Sequence, residues 1–222
     1  MKLISWIYKI NELKSHEIIV WENEKVIIFG YWNLNKDFNI ELLNNSILEF
    51  FGIYENSWYH KINFSQIWND SKLRVSLLNL SKKNDIKLNI SSVISADKCK
   101  SSTNILSICD SWKIEINSWV IIKSETNWWN WELNQENIFV WDKWIINWIP
   151  GLDIRTSKAK ASHSLKIEKI NPEELFYLES RGIDKQNATH IMLASKINNL
   201  FSWIPEEYNY FFEDKLDNFL TK

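Results

Sequence analysis

From about residue 15 to residue 168 the chain is a succession of short alternating or apolar segments with almost no helical periodicity. Examples are EIIV (17–20), KVIIFG (25–30), FNIEL (38–42), SILEFFGI (46–53), HKINF (60–64), LRVSLL (73–78) and IKLNI (86–90). The series continues through KIEI (113–116), WVII (119–122), NIFV (137–140) and LDI (152–154), with Asn, Ser, Asp and Lys between the segments. A period of two sends successive side chains to opposite faces of a strand. Many short strands at near-regular spacing imply an all-β sandwich, barrel or solenoid. Periodicity alone does not choose among the three. No strict hexapeptide or nonapeptide repeat is present, which disfavours a tightly regular left-handed solenoid.

The pattern changes at residue 171. Asn171 is placed to N-cap a helix, Pro172 occupies its first position, and Glu173 and Glu174 put negative charge on its start. Leu175, Phe176 and Leu178 form an apolar stripe, and Gly182 serves as the C-cap. A second helix is predicted to start near Asp184 and run through KQNATHIMLASKINNLF. A third begins at Pro205, with Tyr208, Phe211, Phe212, Leu216 and Phe219 at helical spacing. The expected organisation is a β body over 1–168 and a small helical domain over 169–222.

Composition excludes several functions. A net charge of −2 gives no electrostatic case for nucleic acid or a membrane surface. No apolar run approaches the roughly 18 residues of a membrane helix, and the opening MKLISWIYKINELK is interrupted by Lys9, Asn11, Glu12 and Lys14, unlike a signal peptide. Cys99 and Cys109 lie outside any C-x-x-C spacing and read as simple core or surface residues in a reducing cytoplasm. Two thiols do not supply the usual four ligands of an iron–sulfur cluster. There is no Walker loop, no G-x-S-x-G and no Cys/His metal spacing, so nothing argues for independent catalysis.

The chain holds 14 Trp and only 4 Gly, against a usual glycine share of about 7%. Trp58 and Trp119 follow Asn-Ser, Trp128, Trp129 and Trp131 fall in ETNWWNWEL, Trp141 and Trp144 flank Asp-Lys, and Trp148 follows Asn147. Read as turns, these contexts suit glycine, which adopts positive φ without steric cost. The expectation is that many of these codons are UGA, decoded as glycine by the source organism; the alternative is a code in which UGA means Trp and the side chains are genuine. On that reading the Trp residues are neither carbohydrate platforms nor base-stacking surfaces.

The string AKASHSLKIEKINPEELFYLESRGI (159–183) resembles the C-terminal signature of the SufB/SufD family of iron–sulfur cluster assembly proteins. In that family a strand carrying a histidine leads into a helix reading Leu-Phe-Tyr-Leu-x-Ser-Arg-Gly-Ile. IPGLDI (149–154) is similar to the family's stretch ahead of the histidine strand, and the likeness is tight over about 137–183. The resemblance implies a mainly β fold, a right-handed parallel β-helix followed by a C-terminal helical domain. The N-terminal helical region of longer members is expected to be lacking, since the first strand-like segment begins by residue 17. The SufB branch usually has His-Glu where this chain has His163-Ser164, and carries a cysteine in the strands just upstream, where this chain has none between Cys109 and His163. Both departures point to the SufD branch. Ala161 stands where some SufD proteins have a further cysteine.

The resemblance implies a scaffold subunit rather than an enzyme, cytoplasmic, pairing through its β-helix with a SufB-like chain and docking a SufC-like ABC ATPase through its helices. No cofactor is bound stably. A nascent iron–sulfur cluster is held transiently at the interface, with His163 as the candidate metal-binding residue; alone, the chain is a candidate homodimer. From pattern alone His163 is in phase with Ala159, Ala161, Leu165 and Ile167, which describes a packed core histidine. Leu175, Phe176 and Leu178, with Gly182, are expected to seat the helix on the end of the solenoid, and Tyr177 and Arg181, one turn apart, to face the ATPase. His16, His60 and His190 have no partners at ligand spacing, and Glu173, Glu174 and Glu179 form a solvated face. Two rival readings remain at this stage: a carbohydrate-active enzyme on a β-solenoid, and an aromatic-rich carbohydrate-binding module.

Overall fold

A computed structural model describes residues 1–32, 37–55, 59–81, 85–109, 113–123, 129–140 and 145–204. The strands are β1 (Lys2–Leu3), β2 (Trp6–Lys9), β3 (Glu17–Val20), β4 (Lys25–Trp32), β5 (Asp37–Leu42), β6 (Ile47–Glu55) and β7 (His60–Gln66). They continue as β8 (Lys72–Ser81), β9 (Ile86–Ile94), β10 (Lys100–Cys109), β11 (Lys113–Ile122), β12 (Trp129–Phe139), β13 (Ile145–Ile154) and β14 (Ala159–Lys169). Two helices follow, α1 (Pro172–Ser180) and α2 (Lys185–Phe201).

Odd-numbered strands form one seven-stranded sheet and even-numbered strands another, and all described pairings are parallel. The chain therefore crosses from one sheet to the other and back, each circuit adding a strand to both. That is a β-solenoid, which decides among the architectures left open by periodicity. Several expected segments merge into longer strands. KIEI and WVII are both in β11, and the Asn117-Ser118 between them belongs to the ladder: Asn117 donates to Asn89 at 2.7 Å, and Ser118 points inward. Trp119, Trp131 and Trp148 accordingly lie within strands rather than turns. Trp58, Trp128, Trp141 and Trp144 lie outside the described residues, as does the predicted third helix. The first circuit also starts earlier than expected, at β1.

The corners stack as the strands do. Asn23, Asn45, Asp70 and Lys98 each adopt positive φ, between 53° and 61°, at the turn leading into an even-numbered strand. Backbone bonds join successive corners, with Asn23 N donating to Asn44 O at 3.1 Å, Asn45 N to Asn69 O at 2.9 Å and Asp70 N to Asp97 O at 3.0 Å. Asn and Asp tolerate this conformation best among residues with a side chain; Lys98 is the exception.

Two apolar clusters result. Inward-facing residues such as Leu48, Phe50, Val75, Leu88 and Ile116 fill the space between the sheets. A turn of 3-10 helix (Ile10–Glu12) adds Ile10 and Leu13 to that core near its N-terminal end. A β-carbon on Gly30 would lie 2.1 Å from Ile10 Cγ2, so the glycine makes room for this insertion. The second cluster is on the outer face of the even-numbered sheet. Phe29, Phe51, Ile53, Leu78, Leu80, Leu106 and Ile108 there meet Leu193, Ile197 and Phe201 of α2 and Ile204 beyond it. The period-two strand pattern thus supplies two cores: inward residues for the solenoid, outward apolar residues for the helix.

Candidate functional site

The two most C-terminal strands have one neighbour each, as β1 and β2 do at the other end: β13 pairs with β11, and β14 with β12. Their backbone edges are open among the described residues, and so is the interior. On β11, inward Val120 and Ile122 are 3% and 0% exposed; their register partners on β13, Leu152 and Ile154, are 37% and 39% exposed. On β12, inward Gln135 and Asn137 are 2% and 0% exposed, against 39% and 51% for Leu165 and Ile167 on β14. The core residues of the last circuit face solvent because no further circuit covers them. Ile145 and Ile149, on the other face of β13, are also exposed.

His163 lies in this surface. It faces inward by register, opposite buried Leu133, but is itself exposed, so the core-histidine expectation does not hold. Burial needs a covering strand, and β14 has none on that side. Its ring meets the edge of Trp148 in a T-shaped contact with centroids 6.3 Å apart, while Trp148 Nε1 donates to Ser118 Oγ at 3.2 Å. Ala159 and Ala161, on the same face of β14, are partly buried against the core. Ser164 points to the opposite face and donates to Asn134 Oδ1 at 2.7 Å; Asn134 donates to Asn104 Oδ1 at 3.1 Å. No group of three or more His, Cys, Asp or Glu suited to a metal ion occurs among the described residues. Cys99 and Cys109 are buried free thiols, and burial, the largest influence, raises the pKa of Cys99.

The helix grammar is realised. Asn171 accepts from Glu173 N at 2.9 Å, Pro172 opens α1, and Asp184 accepts from Asn187 N at 3.0 Å at the start of α2. Gly182 has φ +87°, and Gly182 N and Ile183 N donate back to Glu179 O and Leu178 O. The stripe does not seat α1 on the solenoid end, however. Leu175 and Leu178 are half-buried, Phe176 is 70% exposed, and α1 packs on α2. It is α2 that lies on the sheet. Tyr177 and Arg181 do share a face: the guanidinium carbon sits 5.3 Å from the ring centroid, and Tyr177 is 57% exposed.

One cluster escaped the sequence because it joins three elements. Lys196 Nζ of α2 contacts Glu136 Oε1 of β12 at 2.6 Å and Glu168 Oε1 of β14 at 3.0 Å. Lys166 Nζ lies 2.5 Å from Glu168 Oε2 and 3.4 Å from Glu136 Oε1. Desolvation is the largest influence on Glu168 and acts to raise its pKa. Hydrogen bonds with Glu136, Lys166 and Lys196 together outweigh it and bring the pKa down to about 2. The hydrogen bond to Glu136 correspondingly raises the pKa of Lys196.

Comparison with known proteins agrees with this architecture. Residues 55–196, more than half the chain, match the family described as SUF system FeS cluster assembly, SufBD core domain. The chain belongs to the SufBD family. A chloroplastic SufBD family iron–sulfur cluster assembly protein of Arabidopsis thaliana is 29% identical over 73 residues, 33% of this chain and 13% of the relative. A SufBD family protein of Pyrococcus horikoshii is 37% identical over 67 residues, 30% of this chain and 15% of the relative. The iron–sulfur cluster assembly protein SufB of Bacillus subtilis is 35% identical over 60 residues, 27% of this chain and 13% of the relative. The chain thus aligns with less than one sixth of the length of these curated relatives. The SufBD core match includes β14, α1 and most of α2, and with them His163, Tyr177, Arg181 and Lys196. No helix among the described residues is long and apolar enough to cross a membrane.

Proposed function

We propose that this SufBD family chain is a SufD-like scaffold subunit for iron–sulfur cluster assembly in the cytoplasm, joined to a SufB-like chain at its open end. The observation that carries the reading is the exposed last circuit, in which Leu152, Ile154, Leu165 and Ile167 surround His163 on two strands with open edges. Apolar interior positions of this kind favour burial against another chain, and open edges favour strand addition. A second copy of the chain would occupy the same surface when the SufB-like partner is missing. His163 would then offer an imidazole to a cluster assembled as cargo, with the remaining ligands coming from the partner. Ser164 after the histidine and the lack of a cysteine between Cys109 and His163 support the SufD side over SufB.

Phe176, Tyr177 and Arg181 on exposed α1 form the proposed contact for a SufC-like ABC ATPase, whose nucleotide-driven motion would load the helices. The subunit contributes shape and transmission, and hydrolysis and sulfur come from elsewhere. Co-expression with the SufB-like and SufC-like chains of the same genome tests this. A stable complex that gains cluster in an ATP-dependent manner, with His163→Ala lowering the gain, is expected. Purification of the chain free of both partners would overturn it.

A further inference from the structure

Helix α2 is fastened to the solenoid in two chemically different ways. One fastening is apolar, made by Leu193, Ile197, Phe201 and Ile204 on the outer face of the even-numbered sheet. The other is the ionic cluster of Lys196 with Glu136 and Glu168, completed by Lys166. Beside the cluster a cleft of about 430 Å³ separates helix from sheet, with Asn104, Asn134 and Ser164 on the strands and Asn199 and Trp203 on the helical side. The cleft is polar and large enough to hold water. Near Lys196 the helix is therefore held by charges beside a polar cleft, while further along it rests on apolar side chains.

The two acids are not equivalent. Glu136 is on β12, which has strands on both sides, whereas Glu168 is on β14, which hydrogen-bonds to β12 alone. β14 also carries His163, five residues before Glu168 and on the opposite face. A displacement of α2 at Lys196 thus reaches directly an edge strand with a single hydrogen-bonded neighbour.

We infer that Lys196 is a positioning residue that ties α2 to β14, so that movement of the helices alters the placement of His163. The inference rests on the assembly reading above, which supplies the load on the helices and the role of His163. The apolar contacts act as the pivot and the ionic cluster as the releasable tie. Partly exposed ion pairs are weak enough to break and re-form under such a load. The cleft gives the helix room to shift without displacing packed side chains.

Amide hydrogen exchange on the full chain alone tests the tie without any partner. Lys196→Met keeps the aliphatic stem and removes the charge; Lys196→Arg keeps the charge. Exchange over β14 is expected to rise about tenfold in Lys196→Met and to stay within about twofold of the parent in Lys196→Arg. Exchange over β8, two strands from β12 and held against α2 by apolar contacts rather than by the ionic cluster, should not change. Glu168→Gln, approaching the same tie from the strand, should reproduce the Lys196→Met pattern. Unchanged exchange in β14, or an equal rise in β8 and β14 that marks general destabilisation, would overturn the tie. Either result leaves the scaffold reading intact, because that reading stands or falls on complex formation.

Discussion

Truncating Phe201 to alanine should detach α2 and leave the solenoid folded. Phe201 is 4% exposed and sits in the cluster that joins α2 to the outer face of the even-numbered sheet. Removing a buried phenylalanine ring costs about 3–5 kcal/mol once the lost transfer energy and the residual cavity are both counted. Helix α2, 17 residues long, draws most of its stability from tertiary packing rather than from propensity, so its order depends on docking. None of that docking involves the inward residues between the sheets, which form a separate cluster. Taking the lower figure of about 3 kcal/mol, at about 1.4 kcal/mol per decade, the opening equilibrium of α2 shifts by roughly a hundredfold. Native-state hydrogen exchange resolved by peptide reads this directly. Amides of 185–201 should exchange about a hundred times faster than in the parent, while inward-packed strands such as β9 and β11 remain within a few-fold. If α2 and the solenoid accelerate together, the two clusters are one cooperative unit and the reasoning fails. It fails equally if α2 keeps its protection.

His60 is 1% exposed, and burial lowers its pKa to about 4. The unfolded chain protonates first, near the ordinary value of about 6.5. Stability should therefore be full above about pH 6.5 and decline by about 3 kcal/mol as pH falls to about 4, a slope that urea titrations should show and that His60→Gln should abolish. Lys98→Gly should raise the urea midpoint, adding about 1 kcal/mol, because a lysine at φ 56° carries left-handed strain that glycine lacks; a lower midpoint would count against the corner geometry. Asn171→Ala should cost about 1 kcal/mol of α1 stability through loss of the bond to Glu173 N, seen as faster exchange in its first turn. Protein isolated from its source organism should be lighter than the sequence mass by one indole-bearing side chain for each recoded position; a mass matching all 14 Trp would end the UGA reading. Trp131 is the position of most interest, being buried between Ser101 and Ala161 with no partner for its indole N–H among the described residues.

Strand content, helix caps and family were legible in the sequence because each is written locally. Period-two alternation reports strands, and Asn171-Pro172, Gly182 and Asp184 mark helix ends by rules that act within a few residues. What period two does not report is which face has a neighbour. Leu152, Ile154, Leu165 and Ile167 alternate like any core residues, and His163 shares their phase, yet all are exposed because exposure depends on the next circuit. The role of α1 was misassigned for a related reason. Its stripe and that of α2 are similarly apolar, and only the tertiary arrangement assigns the sheet to Leu193, Ile197 and Phe201. The Lys196 cluster was beyond reach, since Glu136, Glu168 and Lys196 come from separate elements at no fixed spacing.

The contrast between the ends of the solenoid bears on the direction of any signal through it. Near the N-terminal end, Ile10 and Leu13 insert into the core over Gly30, so the first circuits are closed by the chain's own residues. At the C-terminal end the core reaches solvent, and the helix that could have covered it packs instead on a side face. An end cap made by α2 would have competed with any partner for the open strands. With α2 on the side, the helices and the open end can each meet a different partner, joined through β14 and its contact with Lys196. That arrangement is the one the proposed ATPase-driven scaffold requires. Under the proposed function, the loaded helix is tied through Lys196 to the strand that carries His163, and that strand has a single hydrogen-bonded neighbour.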